Sequence, residues 1–191
     1  DSAVGGIDGP IYTGTCRKGL LAGRAARAER IITDNNRIEL KDAIQGKITH
    51  SLERQVGDFV VKRADGYFAY QLAVVVDDAD QGITDIVRGA DLLDSTTRQI
   101  YLQQLLGYAT PRYAHLPVAV NVLGEKLSKQ TLAAPIDAGD PLATLNPVLA
   151  FLGQDTINDA DPKKMADFWK RAIAGWNLAR VPRQRTQPAP V

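Results

Sequence analysis

The chain has 191 residues, room for one ordinary domain with a small appendage. Charged residues make up 24% and hydrophobic ones 45%, an ordinary globular balance that excludes a fibrous repeat and a long disordered tail, and no apolar window nears the ~20 residues of a bilayer span. Lys and Arg (23) nearly cancel Asp and Glu (22), so no bulk pull on nucleic acid is expected, and the one cysteine, Cys16, excludes an intrachain disulfide and points to a reducing, cytoplasmic setting.

The sequence opens at Asp1 with neither methionine nor a signal-peptide pattern, and reads as a piece of a longer protein. From Asp1 to Ala22 it is rich in glycine and predicts loops. Gly23 to Arg30 has helix-forming composition. Ile31, Ile32, Ile38, Leu40, Ile44 and Ile48 then predict short antiparallel strands, with turns at Asn35-Asn36 and Gln45-Gly46. Phe59 to Arg63 is a strand, followed by a tight turn at Ala64-Asp65-Gly66. Tyr67 to Asp78 has both a β-branched run and helical spacing (Tyr70, Ala73, Val74, Asp77); the spacing favours a helix. Ile83 to Val87 predicts a buried strand. Asp94 or Ser95 then caps a helix bearing Ile100, Leu102, Leu105 and Leu106 that stops at Gly107. This succession predicts a parallel α/β unit.

Leu116 to Leu123 is short and apolar, and Leu142 to Leu152 predicts a buried helix ending at Gly153. Asp161-Pro162 is a helix start, an acceptor at the N-cap with proline behind it. Met165, Phe168, Trp169, Ala172, Ile173 and Trp176 fall on one helical face and are expected in the core. The tail after Val181 is expected to be disordered.

Lys126-Leu127-Ser128-Lys129-Gln130 places two lysines around a serine after an apolar strand. It is either a solvated loop or a clamp for a triphosphate, since lysine offers phosphate a point charge. Tyr70 is a core aromatic or a pocket wall with a hydroxyl handle. Arg88 is a surface partner for Asp85 or Asp91, or a two-pronged carboxylate ligand at a strand end. Cys16 is a small core residue or, with Tyr12, a ligand pair. Asp77-Asp78 point apart on a helix and are structural, as are His115 and His50. Trp169 and Trp176 are core rather than base-stacking groups.

In the family's order and spacing, GDFVVKRADGYFAYQLAVVVDD, GITDIVRGADLL, the HLP of His115 to Pro117 and KLSKQ resemble the second half of the catalytic domain of glutamyl-type class I aminoacyl-tRNA synthetases, KLSKQ being a variant of the KMSKS signature. The resemblance implies an α/β fold. Residues 57–112 would be the second half of a Rossmann-type catalytic domain. A small α+β, zinc-binding-like insertion (1–56) would precede it, and the KLSKQ loop with a short helical module (113–180) and a disordered tail (181–191) would follow. It further implies that Tyr70 and Arg88 bind L-glutamate and that Lys129, within the loop Lys126 to Gln130, binds the phosphates of ATP, with Mg2+. GGIDGPIYTGTCR resembles the second half of a structural zinc site, so Tyr12 and Cys16 would be two of its ligands. A Cys-x-Cys pair and a HIGH-type motif are absent from the sequence, so zinc binding is expected to be incomplete and the chain alone inactive. KLSKQ, FAYQLAVVVDD and RGADLL, with no room after Gln130 for an anticodon-binding domain, are most similar to a truncated branch of the family. That branch implies glutamate transfer to the queuosine base at the wobble position of tRNA(Asp), by a cytoplasmic monomer that contacts the anticodon stem-loop and no membrane. The alternatives are an ordinary member charging tRNA(Glu), and a non-catalytic RNA-binding module using a patch at Arg24, Arg27 and Arg30.

Overall fold

The computed structural model describes residues 4–7, 9–135, 139–159 and 165–190. The helix start expected at Asp161-Pro162 lies outside them. The chain forms two compact units: Asp1–Asp42, Gly46–Ile86 and Leu92–Tyr113 make the first, and Ala43–Gln45, Val87–Asp91 and Ala114–Val191 the second.

In the first unit, β1 (Gly5–Gly6) and β2 (Gly9–Pro10) pair in a glycine-rich lead, as expected for a loop region. Gly23 to Arg30 is not helical. Residues 15–30 are all exposed, and only β3 (Glu29–Ile31) is regular. An Ala/Arg segment without an apolar stripe has nothing to bury, and a helix shorter than about 12 residues does not stand on propensity alone. β4 (Arg37–Asp42) and β5 (Gly46–Ser51) form the predicted hairpin, Leu40 opposite Ile48. Along β4, Ile38 and Leu40 point inward while Arg37, Glu39 and Lys41 are exposed, the period-two pattern of a half-buried strand.

α1 (Leu52–Gln55) leads into β6 (Phe59–Lys62), which pairs antiparallel with β3. Residues on both sides of position 56 therefore share one unit and one core. α2 (Tyr70–Asp80) is the helix that spacing favoured over β-propensity. β7 (Asp85–Gly89) and β8 (Arg112–Leu116) flank α3 (Leu93–Leu106), and the sheet runs β5-β4-β8-β7, with β4 and β8 parallel. Gly107 stops α3 in the left-handed conformation glycine adopts at low cost, as expected. The start differs. Asp94 and Ser95 lie inside the helix, and the N-cap is Leu92, entered through a 3-10 turn at Ala90–Leu92. Ile38, Leu40, Leu52, Phe59, Val75, Leu93, Ile100, Tyr101, Leu102 and Tyr113 form the core. α3 also buries Thr97, Gln99 and Gln103, and each has a partner: Thr97 with His50, Gln99 with Gln71, Gln103 with the Tyr113 hydroxyl.

In the second unit, β9 (Val118–Val120) pairs in parallel with β10 (Thr186–Pro188). Within the tail expected to be disordered, Thr186–Pro188 thus form a strand. Val118 N–H donates to the Arg185 carbonyl and Ala189 N–H to that of Val120 (both 2.9 Å), and Pro188 is tolerated because β10 is an edge. α4 (Pro141–Phe151) begins as its sequence dictates: Asp140 accepts from Ala143 N–H, and Pro141 sits in the first turn. α5 (Met165–Gly175) buries Phe168 completely, against Leu149 and Ile157 with Met165 and Ala172 alongside. Trp169 and Trp176 were expected in this core. They are 48% and 41% exposed, because the buried stripe runs through 165, 168 and 172 and leaves 169, 173 and 176 on the adjoining face.

Candidate active site

Arg88 lies in β7 and His115 in β8, within the second unit. Arg88 Nε–H donates to His115 Nε2 at 3.0 Å. His115 is wholly buried. Its backbone carbonyl accepts from the Gln45 amide (2.9 Å), which also reaches the Gln184 carbonyl (3.1 Å). The two carboxylates considered as partners for Arg88 have their own cations: Asp85 pairs with Arg112 (2.6 Å) and Asp91 with Lys126 (2.5 Å). Asp85 is held below the usual carboxylate range, chiefly by its bond from Arg112.

The Asp91–Lys126 pair ties the turn after β7 to the lysine loop. Gly89 lies close beside it: a Cβ there would displace the Asp91 carboxylate. The loop base is further pinned. Leu127 N–H donates to the Ala119 carbonyl (3.0 Å), and Asn121 accepts from the N–H groups of Leu123 and Glu125. Beyond the base, Ser128 N–H donates to the Thr131 hydroxyl (2.9 Å). Lys129 and Gln130 are exposed, and the Lys129 ammonium has no acidic partner among the described residues. The loop therefore divides its two lysines: Lys126 is a strut, and Lys129 points its charge outward.

Tyr70 opens α2 in the first unit and is 51% exposed, so it is not a core aromatic. Asp77 and Asp78 lie on the same helix and belong to no cluster of three or more His, Cys, Asp or Glu side chains among the described residues.

Tyr12 and Cys16 do come together in the first unit: the Tyr12 hydroxyl accepts from Cys16 N–H at 2.9 Å. Its bond with the Cys16 side chain pushes the phenol pKa above the ordinary tyrosine value. Cys16 is exposed rather than a core residue. Two donors are half of the four a structural zinc takes, and no three His, Cys, Asp or Glu side chains cluster among the described residues. The residues present thus do not fit a complete zinc site. Arg30 stacks on the Tyr12 ring at 4.3 Å, and Arg24, Arg27 and Arg30 line one cavity of about 470 Å³ with Tyr12 and Cys16.

Sequence reasoning makes His115 structural, weighs Asp91 only as a partner for Arg88, and places Gln45 in a turn; it does not foresee their contacts with Arg88, Lys126 and the His115 carbonyl. The HLP motif marked His115, but its contact depends on two strands lying side by side, which no local pattern encodes.

No helix among the described residues is long and apolar enough to cross a membrane. Residues 16–146 match the model of the family described as tRNA synthetases class I (E and Q), catalytic domain. The chain is 55% identical, over its whole length, to a protein of Aromatoleum aromaticum named glutamyl-Q tRNA(Asp) synthetase, of which it covers 60%. It is 54% identical to the protein of that name from Dechloromonas aromatica, covering 96% of this chain and 62% of the relative. The chain spans about 60% of the length of the curated relatives it matches. In three dimensions it is similar to a glutamate-tRNA synthetase from Elizabethkingia anophelis, with a TM-score of 0.61 and 25% identity over 81% of this chain and 35% of the other.

Proposed function

The chain belongs to the class I tRNA synthetase family (E and Q, catalytic domain), and on that footing we propose that it is the part of a glutamyl-Q tRNA(Asp) synthetase that holds glutamate and the phosphates of ATP. The whole enzyme would activate glutamate with ATP and Mg2+, releasing pyrophosphate. It would then transfer glutamate from the adenylate to the queuosine base at the wobble position of tRNA(Asp), which it meets at the anticodon stem-loop. The observation that carries this reading is identity of 54–55% over 96–100% of the chain to relatives of that name.

The chemistry asks little of protein nucleophiles. The glutamate carboxylate attacks the α-phosphorus, and a tRNA hydroxyl attacks the activated carbonyl, so the enzyme's work is positioning and charge stabilisation. Arg88 would take a carboxylate of glutamate, with Tyr70 a second contact. Lys129, outward on a pinned loop, would meet the charge that develops on the phosphates. Tyr12 and Cys16 would supply half of a structural zinc site whose other ligands come from elsewhere in the protein.

The test is pyrophosphate exchange by the full-length protein. Exchange that depends on glutamate and needs no tRNA(Glu) supports the reading. Exchange driven by glutamine in preference to glutamate, or none with any amino acid, removes it.

A further inference from the structure

We propose that His115 is a positioning residue for Arg88: buried in β8, it accepts the Arg88 Nε–H and so fixes the plane of the guanidinium that meets the substrate carboxylate. The proposal rests on the reading of Arg88 as the glutamate-binding arginine and deepens it.

An arginine side chain has many rotamers, and an unanchored one loses that freedom on binding. A hydrogen bond at Nε removes much of that freedom beforehand. The anchor is itself rigid. His115 is wholly buried, and Gln45 clamps its backbone carbonyl together with that of Gln184. A guanidinium only donates, so at 3.0 Å His115 Nε2 must present its lone pair, which places the ring hydrogen on Nδ1.

The chemical type of the anchor matters. A carboxylate at this position would hold Arg88 more strongly, but it would neutralise the arginine and compete with the incoming glutamate. A neutral acceptor orients the guanidinium without adding a negative charge that would compete with the incoming glutamate. Leucine would fill the site without accepting. Glutamine can place an acceptor oxygen near the position of Nε2.

The experiment compares His115→Leu and His115→Gln in the full-length protein, alone and in an Arg88→Ala background, by pyrophosphate exchange. His115→Leu is expected to raise the glutamate KM about tenfold or more while the ATP KM moves less than about threefold, as for a displaced binding group. His115→Gln should restore most of the loss. In the Arg88→Ala background His115→Leu should add less than about twofold, because residues that act through one another are not additive. Equal increases for both substrates, or a full additional effect without Arg88, would overturn the proposal.

Nitrogen NMR of the histidine rings gives a readout independent of catalysis. A neutral His115 protonated on Nδ1 supports the contact, and protonation on Nε2 overturns it whatever the substrate. An Nδ1-protonated ring together with an unchanged glutamate KM in Arg88→Ala would locate the failure in the glutamate reading of Arg88, and the positioning role would fall with it.

Discussion

Arg17 grips Asp58 through two parallel hydrogen bonds, Nε to Oδ2 at 2.7 Å and Nη2 to Oδ1 at 2.6 Å, and Asp58 also accepts from the Thr33 N–H at 2.9 Å. The Asp58 carboxylate is 2% exposed, and this fork joins it to the loop that bears Tyr12 and Cys16. Asp58→Ala strands a buried N–H at Thr33, and should cost about 2–3 kcal/mol in urea unfolding.

The same carboxylate makes a pH prediction. The bond from Arg17 holds the Asp58 pKa below its ordinary value. The folded state then binds fewer protons than the unfolded one in mild acid. The stabilisation is complete above the unfolded pKa of about 3.9 and is lost as pH falls through the lowered folded value. As pH falls below about 4 the wild-type chain should lose stability more steeply than Asp58→Ala; parallel profiles would show that the pair carries no linkage.

The division of labour in the lysine loop is testable by kinetics. Lys129→Ala should slow adenylate formation roughly a hundredfold while glutamate binding changes little, as for lost preorganised charge in a transition state. Unchanged exchange in this variant would make the loop an ordinary one. Lys126→Ala should act differently, by releasing Asp91.

Helix α5 predicts a contrast between neighbours. Phe168 is wholly buried and Trp169 is half exposed, their rings meeting edge to face at 5.4 Å. Phe168→Ala should cost about 3–5 kcal/mol, and Trp169→Ala about 1 kcal/mol or less, despite the larger side chain. Thermal denaturation of both variants decides it; equal losses would return Trp169 to the core.

Gly153 combines a φ of +70° with no room for a side chain, since a Cβ would overlap the Arg180 carbonyl. Gly153→Ala should lose about 2 kcal/mol or more, because the left-handed backbone alone costs alanine 1–2. A neutral substitution would contradict the tight approach of Gly153 to Arg180.

What could be read from the sequence was what is local. The β4–β5 hairpin follows from alternation ending at Gly46, and α3 ends where Gly107 permits it. Spacing settled α2 against its own β-branched run. The misses share a cause. Ala/Arg composition from Gly23 suggested a helix, but a helix needs a face to bury. The wide apolar stripe of α5 did not say which half of it would meet Leu149 and Ile157. β10 and the Arg88–His115 contact depend on strands distant in the chain lying side by side, which no window of residues contains. The roles proposed for Arg88, Tyr70 and Lys129 rest only on the resemblance of their motifs. Their residue types alone left each with an ordinary alternative.

The most direct test of the proposed function is charging by the full-length protein with labelled glutamate and ATP, offered queuosine-containing tRNA(Asp), tRNA(Asp) lacking queuosine, and tRNA(Glu). The account predicts label on the queuosine-containing tRNA(Asp) alone, retained after the 3′ terminal adenosine is removed. Robust charging of tRNA(Glu) at its 3′ end would contradict it and assign the chain to an ordinary glutamyl-tRNA synthetase.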